Sequence, residues 1–152
     1  MREGQRGVTL IEILILVTLL VVVAGMAMPW FLGVIEAYRL RVTAWELAGD
    51  LRLARQKAVS TQMRHRICFS ACDSPVPAGG YLLEREGASW ELYVVRADLP
   101  DGVAISDNAG GKFTFEAKGE VNGGTTTLTN GGGSYQVKTA RSGRVLVCKG
   151  TC

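Results

Sequence analysis

From Ile13 to Ile35 the chain carries no charged residue. Wound as a helix, a run of that length crosses a bilayer core of roughly 30 Å, and few other folds can hide it. The apolar fraction of the whole chain, 47%, is ordinary; its concentration in one segment is not. After Ile35 charges return throughout and the pattern becomes that of a soluble domain. The 152 residues leave room for one such domain beside the apolar segment.

The residues before the run are Met1-Arg2-Glu3-Gly4-Gln5-Arg6-Gly7, short and polar with two arginines. Positive charge ahead of an apolar helix holds that end in the cytoplasm, so the remainder is expected outside. A secretory signal would end in a small-residue cleavage site, and Ala24-Gly25-Met26-Ala27 resembles one loosely. The apolar run continues past it, however. Glu12 stands among apolar neighbours, where an aspartate-like charge costs about 2.5 kcal/mol or more, so it is read as functional. A carboxylate near the end of a span can instead snorkel to the surface. Snorkelling does not explain why the acid follows a glycine and a basic leader at short range.

Gly7-Val8-Thr9-Leu10-Ile11-Glu12 resembles the type III signal of type IV prepilins and type II secretion pseudopilins. That resemblance implies cleavage between Gly7 and Val8 by a membrane prepilin peptidase and methylation of the new Val8 amine. Most family members have Phe or Met at that position, so Val8 is a departure. The resemblance also implies that Glu12 pairs with the amine of a neighbouring subunit. Each charge is costly alone, and pairing offsets much of that cost. The pair would then set helix register, as a buried polar residue does in a coiled coil. Implied partners are other pilins or pseudopilins, the peptidase and an inner-membrane assembly platform.

Gly25 and Pro29 interrupt the run, and a proline inside a helix usually kinks it. Pro29 lies where many pilins have a helix-loosening proline. Over residues 36–63, Ala37, Leu40, Ala44, Leu47, Leu51, Ala54 and Ala58 form an apolar stripe at helical spacing. Arg39, Glu46, Asp50, Arg52, Arg55 and Lys57 are expected mostly off it. Trp45 belongs either to the core contact or to a neighbouring subunit.

Beyond Met63 short runs rich in β-branched and aromatic residues alternate with turn clusters. Strands are expected at 64–68, 81–85, 91–95, 112–117, 125–129, 134–139 and 144–148. The expected fold is α+β: a long N-terminal helix packed on a small antiparallel β-sheet or sandwich. The expected divisions are 1–7 leader, 8–35 membrane helix, 36–63 amphipathic continuation and 64–152 β-rich domain. Three stretches resemble the GspH/FimT class of minor pseudopilins: Trp90-Glu91-Leu92-Tyr93-Val94, Phe113-Thr114-Phe115 through Gly119, and Ser142-Gly143-Arg144 through Cys148. The resemblance implies a minor subunit of a type II secretion pseudopilus or type IV pilus, acting at initiation or at the tip.

Cys68, Cys72, Cys148 and Cys152 form two C-x3-C pairs beyond the membrane segment. Export would permit disulfides, and three connectivities remain open. Zinc is the competing reading, but no acidic or histidine ligand lies nearby in a finger-like spacing, so no metal or other cofactor is expected. His65, the only histidine, lies between Arg64 and Arg66 without a catalytic partner and is read as solvated on a strand. Ser142 is in no nucleophile elbow, and Gly131–Gly133 lacks the lysine of a phosphate loop. The chain is therefore read as a non-enzyme. Some FimT-like minor pilins take up DNA through a basic Gly-Arg-x-Arg stretch. Here Gly143 and Arg144 match and Leu146 replaces the second arginine. Lys138, Arg141, Arg144 and Lys149 are the candidate phosphate contacts. The same charges would also serve to discourage pairing at a strand edge.

Overall fold

The computed structural model describes residues 8–70, 72–77, 79–96, 99–100, 102–107 and 110–152, with the side chains of 27, 29, 30 and 107 left aside. The chain divides into two units, residues 1–35 and 36–152. One helix, α1 (Leu10–Thr61), contributes to both.

In the first unit every described side chain from Val8 to Val34 is exposed. A helix that is apolar all round belongs in a core or in lipid. No single helix among the described residues is long and apolar enough to cross a membrane; Leu10–Met26 and Phe31–Thr61, bent at the break between them, meet the criterion together. Pro29 falls in that break.

In the second unit the α1 stripe becomes a core. Leu40, Ala44, Leu47, Ala48, Leu51, Ala54 and Ala58 are buried. Each fully buried leucine contributes about 1.5–3 kcal/mol relative to exposure. Ala37, expected on the stripe, is exposed. Trp45 is half exposed and therefore outside the core, whereas Asp50, expected off the stripe, is buried. The helix stops where Gln62 turns left-handed at φ 56°, a common device for ending a helix.

Eight strands follow among the described residues: β1 (His65–Cys68), β2 (Tyr81–Glu86), β3 (Trp90–Arg96), β4 (Ala104–Asp107), β5 (Lys112–Phe115), β6 (Gly124–Asn130), β7 (Gly133–Thr139) and β8 (Val145–Lys149). They form two four-stranded sheets, ordered β3-β2-β1-β5 and β4-β6-β7-β8. All pairs are antiparallel. Ile67, Leu83, Phe113 and Phe115 from the first sheet join Leu128, Val137 and Val145 from the second in one cluster with the helix stripe. The α+β expectation holds, with two sheets where the sequence left open one sheet or a sandwich.

Two further differences have physical causes. The expected strands omit β4, whose Ala-Ile-Ser-Asp carries one large apolar side chain. It is an edge strand supported only by β6. His65 is buried, not solvated. Strand β1 is interior to its sheet, and all four of its side chains are covered.

Candidate functional site

Gly7 lies outside the described residues, and Val8 is exposed just before the helix. The backbone N–H of Glu12 donates to Thr9 O at 3.1 Å and approaches Thr9 Oγ1 at 3.4 Å. Thr9 is thus the N-cap and Glu12 the third helical residue, the spacing of a capping box. A carboxylate there also faces the positive end of the helix dipole. Thr9 therefore caps the helix on the backbone N–H of Glu12, and this cap was not expected from the position of Glu12 alone. Thr9-Leu10-Ile11-Glu12 could have revealed it, since Thr-x-x-Glu before an apolar run is the sequence mark of that cap.

A second polar group lies beneath the loop after β1. Arg66 Nε bonds Glu84 Oε2 at 2.6 Å, and Arg66 Nη2 bonds Asp73 Oδ2 at 2.6 Å. The Arg66 guanidinium stacks on Trp90, 4.0 Å from the ring centroid. Ser74 N–H donates to Glu84 Oε1 at 3.2 Å, and the Cys68 thiol donates to Glu84 Oε2 at 3.4 Å. Glu84 is fully buried; a charge at such a site persists only when paired. Ligand-type atoms of Cys68, Cys72 and Glu84 lie within 4.8 Å of one another. The carboxylate that meets both cysteines in space comes from β2, distant from them in sequence. Burial pushes both thiols above their usual range. The other pair, Cys148 and Cys152, is joined in a disulfide with Cα atoms 5.4 Å apart.

The candidate phosphate contacts do not form one patch. Arg141 and Arg144 lie exposed on the β7–β8 turn, closed by Gly143 N–H to Ala140 O at 2.8 Å and Ala140 N–H to Arg144 O at 2.9 Å. Lys138 is nearby, opposite Leu146. Lys149 opposes Tyr135 at the other end of β8, about 13 Å away along an extended strand. The turn instead sits beside Arg55 of α1. A Cβ on Gly143 would come within 2.6 Å of Arg55 Nε, and closer still to Gly119 O. Arg55 is the basic residue that strand-by-strand reading missed, because it arrives from the helix.

Residues 43–143 match the family model described as type II transport protein GspH. The chain belongs to the GspH family. Its fold is that of two solved relatives. The type IV minor pilin FimU of Pseudomonas aeruginosa is 20% identical over 71% of this chain and 87% of that one, with a TM-score of 0.56. The minor pseudopilin EpsH from the type 2 secretion system of Vibrio cholerae is 14% identical over 73% of this chain and 97% of that one, with a TM-score of 0.62. No curated protein matches the sequence.

The geometry gives the GspH-class motif residues a physical reason. Phe113 and Phe115 point into the core and are fully buried. Gly119 and Gly143 both have positive φ, 81° and 77°. A Cβ on Gly119 would lie 3.1 Å from Val59 and 3.2 Å from Arg55. These motif glycines let two turns close on the last helical turns of α1. Glycine is needed there for backbone conformation and clearance together.

Proposed function

We propose that the chain is a minor pilin-like subunit, cut after Gly7, methylated on Val8 and assembled through its apolar helix into a type II secretion pseudopilus or a type IV pilus. The observation that carries this reading is a capped, all-round apolar helix directly after Gly7-Val8, ahead of a GspH-family domain. Before assembly the helix would span the inner membrane, with its N-terminus cytoplasmic and residues 36–152 outside. Cleavage creates a positive Val8 amine close to the Glu12 carboxylate of a neighbouring subunit. Pairing the two removes two isolated charges from a low-dielectric environment. Pro29 supplies the point at which the helix departs from a straight course. The domain carries no part of the pairing; it is held outside to meet neighbouring subunits.

The test is expression with and without a prepilin peptidase, followed by mass spectrometry of the N-terminus. The expected product starts at methylated Val8. An intact Met1 N-terminus in the presence of active peptidase overturns the reading. Deleting the gene and counting surface filaments then separates the two machines: loss of filaments means a type IV pilus, and normal filaments with failed export mean a secretion pseudopilus.

The alternative is a pilus-tip subunit that binds DNA. It is favoured by the convergence of Arg55, Arg141 and Arg144 at one turn. Phosphate contacts of this kind weaken steeply with salt. Low-salt DNA binding that is lost in Arg141→Ala/Arg144→Ala supports it, and no binding at low salt ends it.

A further inference from the structure

We propose that Cys68 and Cys72 are joined in a second C-x3-C disulfide, with Cys72 reacting first and Glu84 taking the proton of Cys68. The two sulfur atoms and a Glu84 oxygen already lie within 4.8 Å of one another. The same spacing closes at Cys148–Cys152, so a chain of this reach can turn back far enough. Cys68 is fully buried, whereas Cys72 is only half-buried at the surface of the loop. An incoming oxidant can reach Cys72 alone.

The chemistry balances as thiol–disulfide exchange. The Cys72 thiolate attacks one sulfur of a small-molecule or protein disulfide, forming a mixed disulfide and releasing one thiolate of the oxidant. Cys68 then gives its proton to Glu84 Oε2, which already accepts its hydrogen bond at 3.4 Å. The Cys68 sulfur attacks Cys72 Sγ, the second thiolate of the oxidant leaves, and Glu84 hands its proton to that thiolate. The protein loses two electrons and two protons, and the oxidant becomes two thiols.

A metal is the competing outcome. Holding a soft divalent cation here requires two thiolates, which burial disfavours until a cation is bound. Both Glu84 oxygens are also engaged, one by Arg66 and the other by Ser74 N–H. A disulfide leaves no ionisable group behind and so escapes the desolvation cost. Its consequence is mechanical. It would fasten the loop carrying Asp73 and Ser74 over the buried Arg66–Glu84 pair, whose mutual attraction is strengthened by exclusion of water.

The inference rests on export of residues 36–152, and Cys148–Cys152 serves as its control. Full-length chain is purified from membranes without reductant, alkylated, and mapped by peptide mass. The expected result is both bridges, with no alkylation at any of the four cysteines. A bridged Cys148–Cys152 with alkylated Cys68 and Cys72 overturns the inference and leaves export standing. Four alkylated cysteines overturn export instead; the purified chain is then oxidised in glutathione disulfide, where failure to link Cys68 to Cys72 overturns the inference as well. Thiols that alkylate only after a chelator removes bound zinc also overturn it. The order of attack is read from single variants. Cys68→Ser should accumulate a glutathione adduct at Cys72, and Cys72→Ser should leave Cys68 largely unmodified; equal adducts reject the order.

Discussion

Tyr81 on β2 donates its phenolic hydrogen to Asp50 Oδ2 on α1 at 2.8 Å. Arg96 on β3 closes on the same carboxylate, Nε to Oδ2 at 2.9 Å and Nη2 to Oδ1 at 3.1 Å. One buried aspartate therefore ties the helix to two strands of the first sheet. A hydrogen bond to a charged group contributes about 1.5–3 kcal/mol, and an orphaned buried donor costs more than a missing pair. Asp50→Ala is expected to destabilise the domain by about 2–3 kcal/mol. Asp50→Asn, which keeps an acceptor for Tyr81, should cost less. Thermal melts of the full chain in detergent measure both; equal melting points for Asp50→Ala and wild type would remove this tie from the account.

Under the proposed function Glu12 presents charge, and it also stands at the third helical position, where a capping box places an acid or an amide. Glutamine also serves at the third helical position of a capping box. Under the proposed function, Glu12→Gln should keep N-terminal helicity and still fail to enter filaments. Glu12→Ala should lose incorporation as well. Normal incorporation of Glu12→Gln, measured by filament fractionation, would mean that the charge is dispensable and the cap is what matters.

Gly143→Ala forces a side chain into left-handed backbone, which costs about 1–2 kcal/mol for an L-residue. It also drives a methyl against Gly119 and Arg55. The melting temperature should fall clearly. Arg144→Ala, one residue on and exposed, should leave it nearly unchanged. This pair separates the structural half of the Gly-Arg motif from its charged half.

Thr126 Oγ1 and Thr139 Oγ1 are buried without a hydrogen-bond partner among the described residues. A valine of the same shape removes the unsatisfied hydroxyl. Thr126→Val should stabilise the domain by about 1 kcal/mol. A lower melting temperature would show that the hydroxyl is satisfied by water.

His65 is held neutral. Burial pushes its pKa below the usual imidazole value, with smaller contributions in the same direction from Arg85 and Lys57. Met63 O lies 3.1 Å from Nδ1 and opposes the shift. A carbonyl only accepts, so Nδ1 carries the proton. The unfolded chain then binds a proton at higher pH than the folded one, and stability rises with pH. This contribution is full above the ordinary imidazole pKa of about 6.5 and is lost as pH falls below it toward the folded value. His65→Gln should flatten the drop in melting temperature between neutral and mildly acidic pH.

The sequence by itself determined the apolar helix, its stripe from Leu40 to Ala58 and seven of the eight strands. Each is announced by a local pattern, an uncharged run or a period in hydrophobicity. The turn glycines were legible too, as interruptions. What only the tertiary structure decided is where polar residues go. Nothing near Asp50, His65, Arg66 or Glu84 in sequence marks them as buried. Their cover comes from elements far along the chain: Tyr81 and Arg96 reach Asp50, and Glu84 reaches both Arg66 and Cys68. A charge is admitted to a core by a partner, and the partner is a property of the fold. For the same reason Lys149 left the basic group and Arg55 joined it. Strand direction and helix packing set which charges meet, and neither is written in the spacing of the residues.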